Sequence, residues 1–260
     1  MARVEWDKTG EKVYETGVDH GMLYLKEDPY SEEAMSRAMR KTNGRVAAPP
    51  GYTFGVPWNG LVSVNDNPSG AEANKHYADN MPYLTLMSAE DLGATIEAFT
   101  YPTQFEVCEG RRTMNKGIMV GQQDREMFAF SYRTKVGNDE EGDNFGYKLH
   151  LYYGCLASPS GRNYQTINDS PEPLTFSWEV TTTPINIPGF KPSASIMLDT
   201  TQMDEAGFAI LKKVEDILYG TDTEEPRMIM PEELAALINP PTEPSTRMAK
   251  TQVNQNGSRN

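Results

Sequence analysis

The feature that most limits what this chain can fold into is a pair of segments whose side chains alternate with period two. In residues 126–135, Met127, Ala129 and Ser131 alternate with Phe128, Phe130 and Tyr132. In residues 146–154, Tyr147, Leu149, Leu151 and Tyr153 fall on one face. Two is the period of a strand, since successive Cβ atoms point to opposite faces of a sheet. Residues 137–144 (GNDEEGDN) join the two segments and carry Asp139, Glu140, Glu141 and Asp143. A Gly-bounded polar connection between alternating segments predicts a hairpin.

Residues 174–183 repeat the pattern. Phe176, Trp178 and Val180 lie on one face, and Thr175, Ser177, Glu179 and Thr181 on the other. Such alternation predicts one buried face and one facing water or a partner. Further strands are expected at 22–25, 60–66, 83–87, 94–99 and 194–198. The many Gly and Pro residues, 21 and 18, fit a chain of many turns.

Helical spacing is prominent once. In residues 203–219, Phe208, Leu211, Val214, Ile217 and Leu218 make an apolar stripe. Asp204 and Glu205 suit the positive end of the helix dipole, and Gly220 suits a C-terminal cap. Shorter helical pieces are expected from Ser31 within 28–41, over 71–79, and from Thr100 with Pro102 in its first turn up to Gly110. Residues 67–70 read as a turn. Residues 43–60 contain Pro49-Pro50-Gly51 and Pro57 and read as a long loop; long ordered loops commonly have a function.

After Gly220 the composition shifts to Pro226, Pro231, Pro240, Pro241 and Pro244, followed by Ser, Thr, Asn and Gln. The organisation expected is therefore a β domain over 1–220 and an arm over 221–260. One short helix is expected in the arm at 231–238, and the arm is either disordered or docked on a neighbour.

The net charge of -13 disfavours ordinary binding to phosphate backbones. Solubility accounts for it, and an acidic wall would also let DNA pass without sticking. Cys108 and Cys155 stand in no ligand-like spacing, and with His20, His76 and His150 they form no metal-binding pattern. The expectation is no metal and no cofactor. The N-terminal residues lack an apolar core of signal-peptide length, and no stretch approaches the ~20 apolar residues of a membrane helix. A soluble chain made in a cytoplasm is expected, with no membrane insertion.

Residues for catalysis are not evident. The chain has no phosphate loop of the GxxxxGK[ST] form, no GxGxxG and no GxSxG elbow. Acids such as Glu90, Asp91, Glu106, Glu109, Glu172 and Glu179 are numerous enough for pairs to arise by chance. The acidic run 139–143 lacks EF-hand spacing, so a solvated hairpin tip is expected there rather than a Ca²⁺ site. The chain does not read as an enzyme.

Several stretches carry a resemblance in their order along the chain. They are 17–24 (GVDHGMLY), 55–62 (GVPWNGLV), 70–72 (GAE) running into 77–80 (YADN), and 96–102 (IEAFTYP) running to 108–110 (CEG). They continue with 130–134 (FSYRT), 146–150 (GYKLH), 166–171 (TINDSP), 176–179 (FSWE) and 182–184 (TTP). This series resembles the major tail tube proteins of phages with long non-contractile (siphovirus-type) tails, in particular the family from phages of Gram-positive bacteria. The resemblance spans about residues 4–220 and excludes the segment after 220.

The resemblance implies a mainly β fold, a two-sheet β-sandwich or partial barrel with a flanking α-helix. It implies a structural virion protein, made in the bacterial host cytoplasm, whose hexameric rings stack into the tail tube. Implied partners are further copies of the chain, the tape measure protein, and the tail terminator and distal tail or baseplate proteins. Double-stranded DNA passes through during genome ejection without specific binding. On this reading Asn43, Pro49, Pro50, Tyr52, Phe54 and Trp58, in the long loop, are candidate contacts to a neighbouring subunit or ring. Asp139, Glu140, Glu141 and Asp143 are candidate lumen or loop acids. The alternative function is a carbohydrate-binding β-sandwich module of a tail tip or cell-surface protein, with Trp58, Trp178 and tyrosines stacking on sugars. A hydrolase built on paired acids is the third reading.

Overall fold

The computed structural model describes residues 6–31, 51–115, 117–166 and 173–239. In chain order the strands are β1 (Tyr14–Leu25), β2 (Phe54–Pro57), β3 (Leu61–Asp66), β4 (Ser69–Gly70), β5 (Ala73–Ala78), β6 (Met81–Met87), β7 (Glu90–Asp91), β8 (Gly93–Ala98), β9 (Arg112–Asn115), β10 (Ile118–Val120), β11 (Phe128–Asn138), β12 (Gly142–Ala157), β13 (Phe176–Thr182) and β14 (Ser195–Asp199). Two α-helices follow, α1 (Glu205–Tyr219) and α2 (Pro231–Ile238). The fold is mainly β, with one large antiparallel sheet in the order β2-β1-β11-β12-β13-β8-β3 and β14 added on β12.

The β11–β12 hairpin is the centre of this sheet, as the alternation predicts. Ser131 pairs with Leu151 and Arg133 with Leu149. Its turn is tighter than 137–144, because the ladder continues to Asn138 opposite Gly142. β12 serves two neighbours in succession. Residues 148–152 pair with β14, and residues 155–157 pair with β13. The change-over coincides with a bulge: Phe128 faces Cys155, yet Phe130 faces Tyr152. Gly154 sits in the bulge with φ +60, and a Cβ there would lie 2.4 Å from the Thr183 carbonyl oxygen. Only glycine suits both the backbone conformation and the close approach.

Alternation places two apolar clusters on opposite faces of the sheet, and the bulge moves Cys155 and Ala157 to the face opposite Leu149, Leu151 and Tyr153. Leu23, Leu25, Phe128, Phe130, Ile96, Trp178 and Val180 join one cluster. Met22, Tyr24, Ala129, Leu149, Leu151 and Tyr153 join the other, against α1 and α2. The first cluster draws strands from distant parts of the sheet together. Trp58, in the link from β2 to β3, lies 5.4 Å from Trp178 of β13 and 4.6 Å from Phe105, centroid to centroid. The Trp58 backbone N–H donates to the Gly21 carbonyl at 2.8 Å. The sheet therefore curls until β3 approaches β1, which encloses one face.

On the other face, α1 buries Leu211, Val214 and Leu218. The Asp204 carboxylate accepts from the Gly207 N–H at 2.8 Å, capping the first turn, and Gly220 ends the helix at φ 78. Phe208, expected on the buried stripe, is 48% exposed, and burial along α1 begins only at Leu211.

Several expectations are corrected. Residues 71–79 are not a helical turn but contain the strand β5. The expected 67–70 turn includes the short strand β4. Residues 54–57 form strand β2 inside what reads as loop. The helix expected from Thr100 is a 3-10 turn over Thr103–Val107, with Pro102 as its extended N-cap. The described part of the expected C-terminal arm, residues 221–239, is built into the chain's own core. Met228 and Ile229 are buried with Leu234 of α2. The Met228 N–H donates to the Tyr52 carbonyl at 3.0 Å and the Tyr153 hydroxyl to the Ile229 carbonyl at 2.9 Å. Residues 228–237 thus pack in the same cluster as β12 and α1. The helix expected near Ser31 and residues 240–260 lie outside the described residues.

Candidate assembly surface

Between Asp66, the end of β3, and Gly93, the start of β8, the chain leaves the large sheet and forms a paired arm. β4 pairs with β7 at the base, and β5 with β6 beyond. The tip, Ala78-Asp79-Asn80-Met81, has φ 52 at Asp79 and φ 62 at Asn80. Positive φ at both central residues is the geometry of a tight hairpin turn that Asp and Asn tolerate well.

Every residue of β5 and β6 is exposed. The two strands differ in character. β5 (ANKHYA) presents Asn74, Lys75 and His76, while β6 (MPYLTLM) is apolar on both faces. Tyr83 is 75% and Met87 71% exposed, with Tyr77, Met81, Leu84 and Leu86 also open. A strand that is apolar on both faces is built for burial on both faces. A two-stranded hairpin is at best marginally stable alone. Covering such side chains would be worth roughly 1.5–3 kcal/mol each, so the arm is an exposed apolar surface of the kind that marks interaction sites.

A second apolar surface lies on the β9–β10 hairpin, where Met114, Ile118, Met119 and Val120 are exposed together with nearby Met127. The two flanks of the large sheet also differ. The outer edge of β2 is covered, because the Gly55 N–H donates to the Pro226 carbonyl at 2.9 Å. β14 pairs with β12 alone among the described strands, and its Met197 is exposed. It offers an open edge for strand addition.

The side chains expected at a subunit interface are placed differently. Trp58 is 2% exposed, and its indole N–H donates to the Thr100 carbonyl at 3.0 Å. Tyr52 is buried and its hydroxyl accepts from the Gly154 N–H at 3.1 Å. Phe54 packs against the enclosed core. These three side chains are engaged within their own chain. Asn43, Pro49 and Pro50 lie outside the described residues.

The acidic turn is exposed, and it holds the segment that leads into β1. Asp139 accepts from the Gly10 N–H at 2.9 Å and Asp143 from the Tyr14 hydroxyl at 3.0 Å. Asn138 Oδ1 accepts from the Glu140 and Glu141 N–H groups, fixing the turn. Glu140 and Glu141 are exposed, and the Glu140 carboxylate lies beside Gly10.

The remaining acid clusters are structural. Glu106 is buried and accepts from the Tyr101 hydroxyl at 2.8 Å and from Arg111 at 2.9 Å. Glu109 accepts from the Trp178 indole N–H and from Arg162. Burial pushes both cysteine thiols, Cys108 and Cys155, well up, which disfavours the reactive thiolate. Among the described residues no group of three or more His, Cys, Asp or Glu side chains is arranged to hold a metal ion. Among them, too, no helix is long and apolar enough to cross a membrane.

An opening of about 480 Å³ lies where β1 meets the β2–β3 link. Here β1 is irregular on both sides of Asp19, and His20 takes φ 52. Burial opposes ionisation of Asp19, but hydrogen bonds from Arg133, at 3.0 Å, and His20 outweigh it, so its carboxyl titrates below the ordinary 3.8. A carboxyl depressed by folding stabilises fully above its unfolded value and loses that contribution as pH falls through the folded value. Asp19→Asn is therefore expected to lower the melting temperature by a constant amount above about pH 5. The gap should narrow as pH drops below 3.8. Melting curves of both proteins from pH 7 to pH 2 check this, and a gap that widens in acid contradicts it.

No protein-family model matches the chain, and no curated protein matches it.

Proposed function

We propose that this chain is a structural subunit that assembles with copies of itself into stacked hexameric rings, forming the tail tube of a long-tailed phage. The observation that carries the reading is the 69–91 arm, a hairpin exposed on all sides whose β6 strand is apolar on both faces. Such an element gains its stability by docking, and a repeating assembly of identical chains supplies a docking place for every copy. The open edge of β14 and the apolar β9–β10 hairpin add surfaces of the same kind. The curled sheet with helices on one face suits a two-sheet sandwich or partial barrel, and the family-like stretches fall largely on its strands. In this reading the tape measure protein occupies the tube during assembly, terminator and distal proteins close its ends, and DNA later passes through a wall of acidic subunits.

The carbohydrate-binding alternative loses its main support, since Trp58 and Trp178 are both in the core. Negative-stain electron microscopy of purified protein over a range of concentrations tests the proposal. Six-membered rings or tubes are expected. Monomers alone under every condition overturn it.

A further inference from the structure

A cavity of about 340 Å³ opens beside the 3-10 turn, lined by Arg111, Arg125, Arg162, Glu109, Ser158 and Ser160. It is a cationic recess in a chain of net charge -13. Two of its arginines are already matched. Arg111 pairs with Glu106, and Arg162 pairs with Glu109 while lying over the Tyr101 and Phe176 rings. Arg125 is different. Its Nη1 donates to the Ala157 carbonyl at 2.6 Å, which fixes the guanidinium, and among the described residues no carboxylate forms an ion pair with it. A fixed guanidinium with further N–H donors at a recess suits a carboxylate geometrically and electrostatically. The Ser158 and Ser160 hydroxyls stand beside it, and Tyr164, 71% exposed, forms an aromatic rim.

The arm has the complementary composition. It carries Glu72, Asp79, Glu90 and Asp91 against the single Lys75, beside the apolar side chains of β6. Asp79 stands at its tip, the point furthest along the hairpin from the large sheet. We infer that the Arg125 recess receives the Asp79 carboxylate from the arm of a second copy of this chain, with Tyr164 packing on the arm's apolar side chains. The inference rests on the tubular reading and names the receptor for its arm. Like-charged copies repel in general, so a cation reserved for the arm sets which surfaces meet.

The test is a charge swap. Arg125→Glu and Asp79→Lys are each expected to raise the protein concentration needed for polymer, read by sedimentation and electron microscopy, at least tenfold. The double variant should return to within about threefold of the original protein, as a direct pair requires. Lys191→Glu, on an exposed loop, changes the net charge by the same amount as Arg125→Glu and is expected to leave assembly unchanged. Arg125→Gln keeps a donor for Ala157 and should weaken assembly without altering the melting temperature, which separates loss of the contact from loss of the fold. Single reversals that assemble normally, or a double variant no better than the two singles combined, overturn the inference while leaving the tubular reading intact. An original protein that forms no polymer overturns the tubular reading, and this contact with it.

Discussion

Replacing residues 71–89 with Asn-Gly, so that β4 turns directly into β7, is expected to give a folded monomer that forms neither rings nor tubes. All of β5 and β6 is exposed, so the deletion removes no core side chain. The base pairs Ser69 with Asp91 and Gly70 with Glu90, so a two-residue turn closes the shortened hairpin. The melting temperature should stay within about 2 °C of the original, since the stability change is well under 1 kcal/mol. Assembly should fall below detection, because each copy loses six large apolar side chains, each worth roughly 1.5–3 kcal/mol on burial. Sedimentation and electron microscopy read the outcome. Tubes formed at the original concentration would exclude the arm as the assembling element.

Trp178→Ala is expected to be the most damaging single substitution in the enclosed core. The side chain is 1% exposed and its ring centroid lies within 5.7 Å of those of Trp58, Tyr101, Phe105 and Phe176. Removing a buried tryptophan costs about 3–5 kcal/mol, through lost transfer energy and the cavity left behind. The substitution also strips Glu109 of its indole donor, leaving a half-buried carboxylate with its arginine partners alone. A fall in melting temperature of about 10 °C or more follows for a chain of this size. Trp178→Phe keeps the ring packing and should recover most of the loss. An alanine variant that melts within a degree or two of the original would mean that this face is not closed.

The strands that were legible in the sequence are those with one face buried and one face wet. Phe176, Trp178 and Val180 announce β13, and the alternation in 126–135 and 146–154 announces β11 and β12. Each pattern is imposed locally by a core on one side. The arm obeys no such rule: its apolar strand, expected at 83–87 and found as β6, has no buried face within its own chain. β5, with Ala, Asn and Lys, carries little strand propensity and took the helical reading; cross-strand pairing with β6 overrides it. The Asp79-Asn80 dipeptide between the two segments is the signal that marks the hairpin. β2 is hidden for another reason: four residues between Thr53 and Trp58, ending in proline, are too few to show a period. The docking of 226–238 depends on Tyr52 and Tyr153, far away in the chain, and a proline-rich composition gives no sign of it. For the candidate surface, the acids of the β11–β12 turn are exposed as a hairpin tip should be, whereas Tyr52, Phe54 and Trp58 belong to the interior and the exposed apolar side chains lie on the arm instead.

On the proposed assembly, the arm has a consequence for how a stock of free copies behaves. Each carries adhesive side chains that act only on touching, and a net charge of -13 that acts before touching. At physiological ionic strength that repulsion reaches about 8 Å from the surface. On the proposed assembly, free copies are held apart by a kinetic barrier although their joined state is lower in free energy. Growth then depends on a starting template, and added salt, by thinning the barrier, shortens the lag before spontaneous polymer appears.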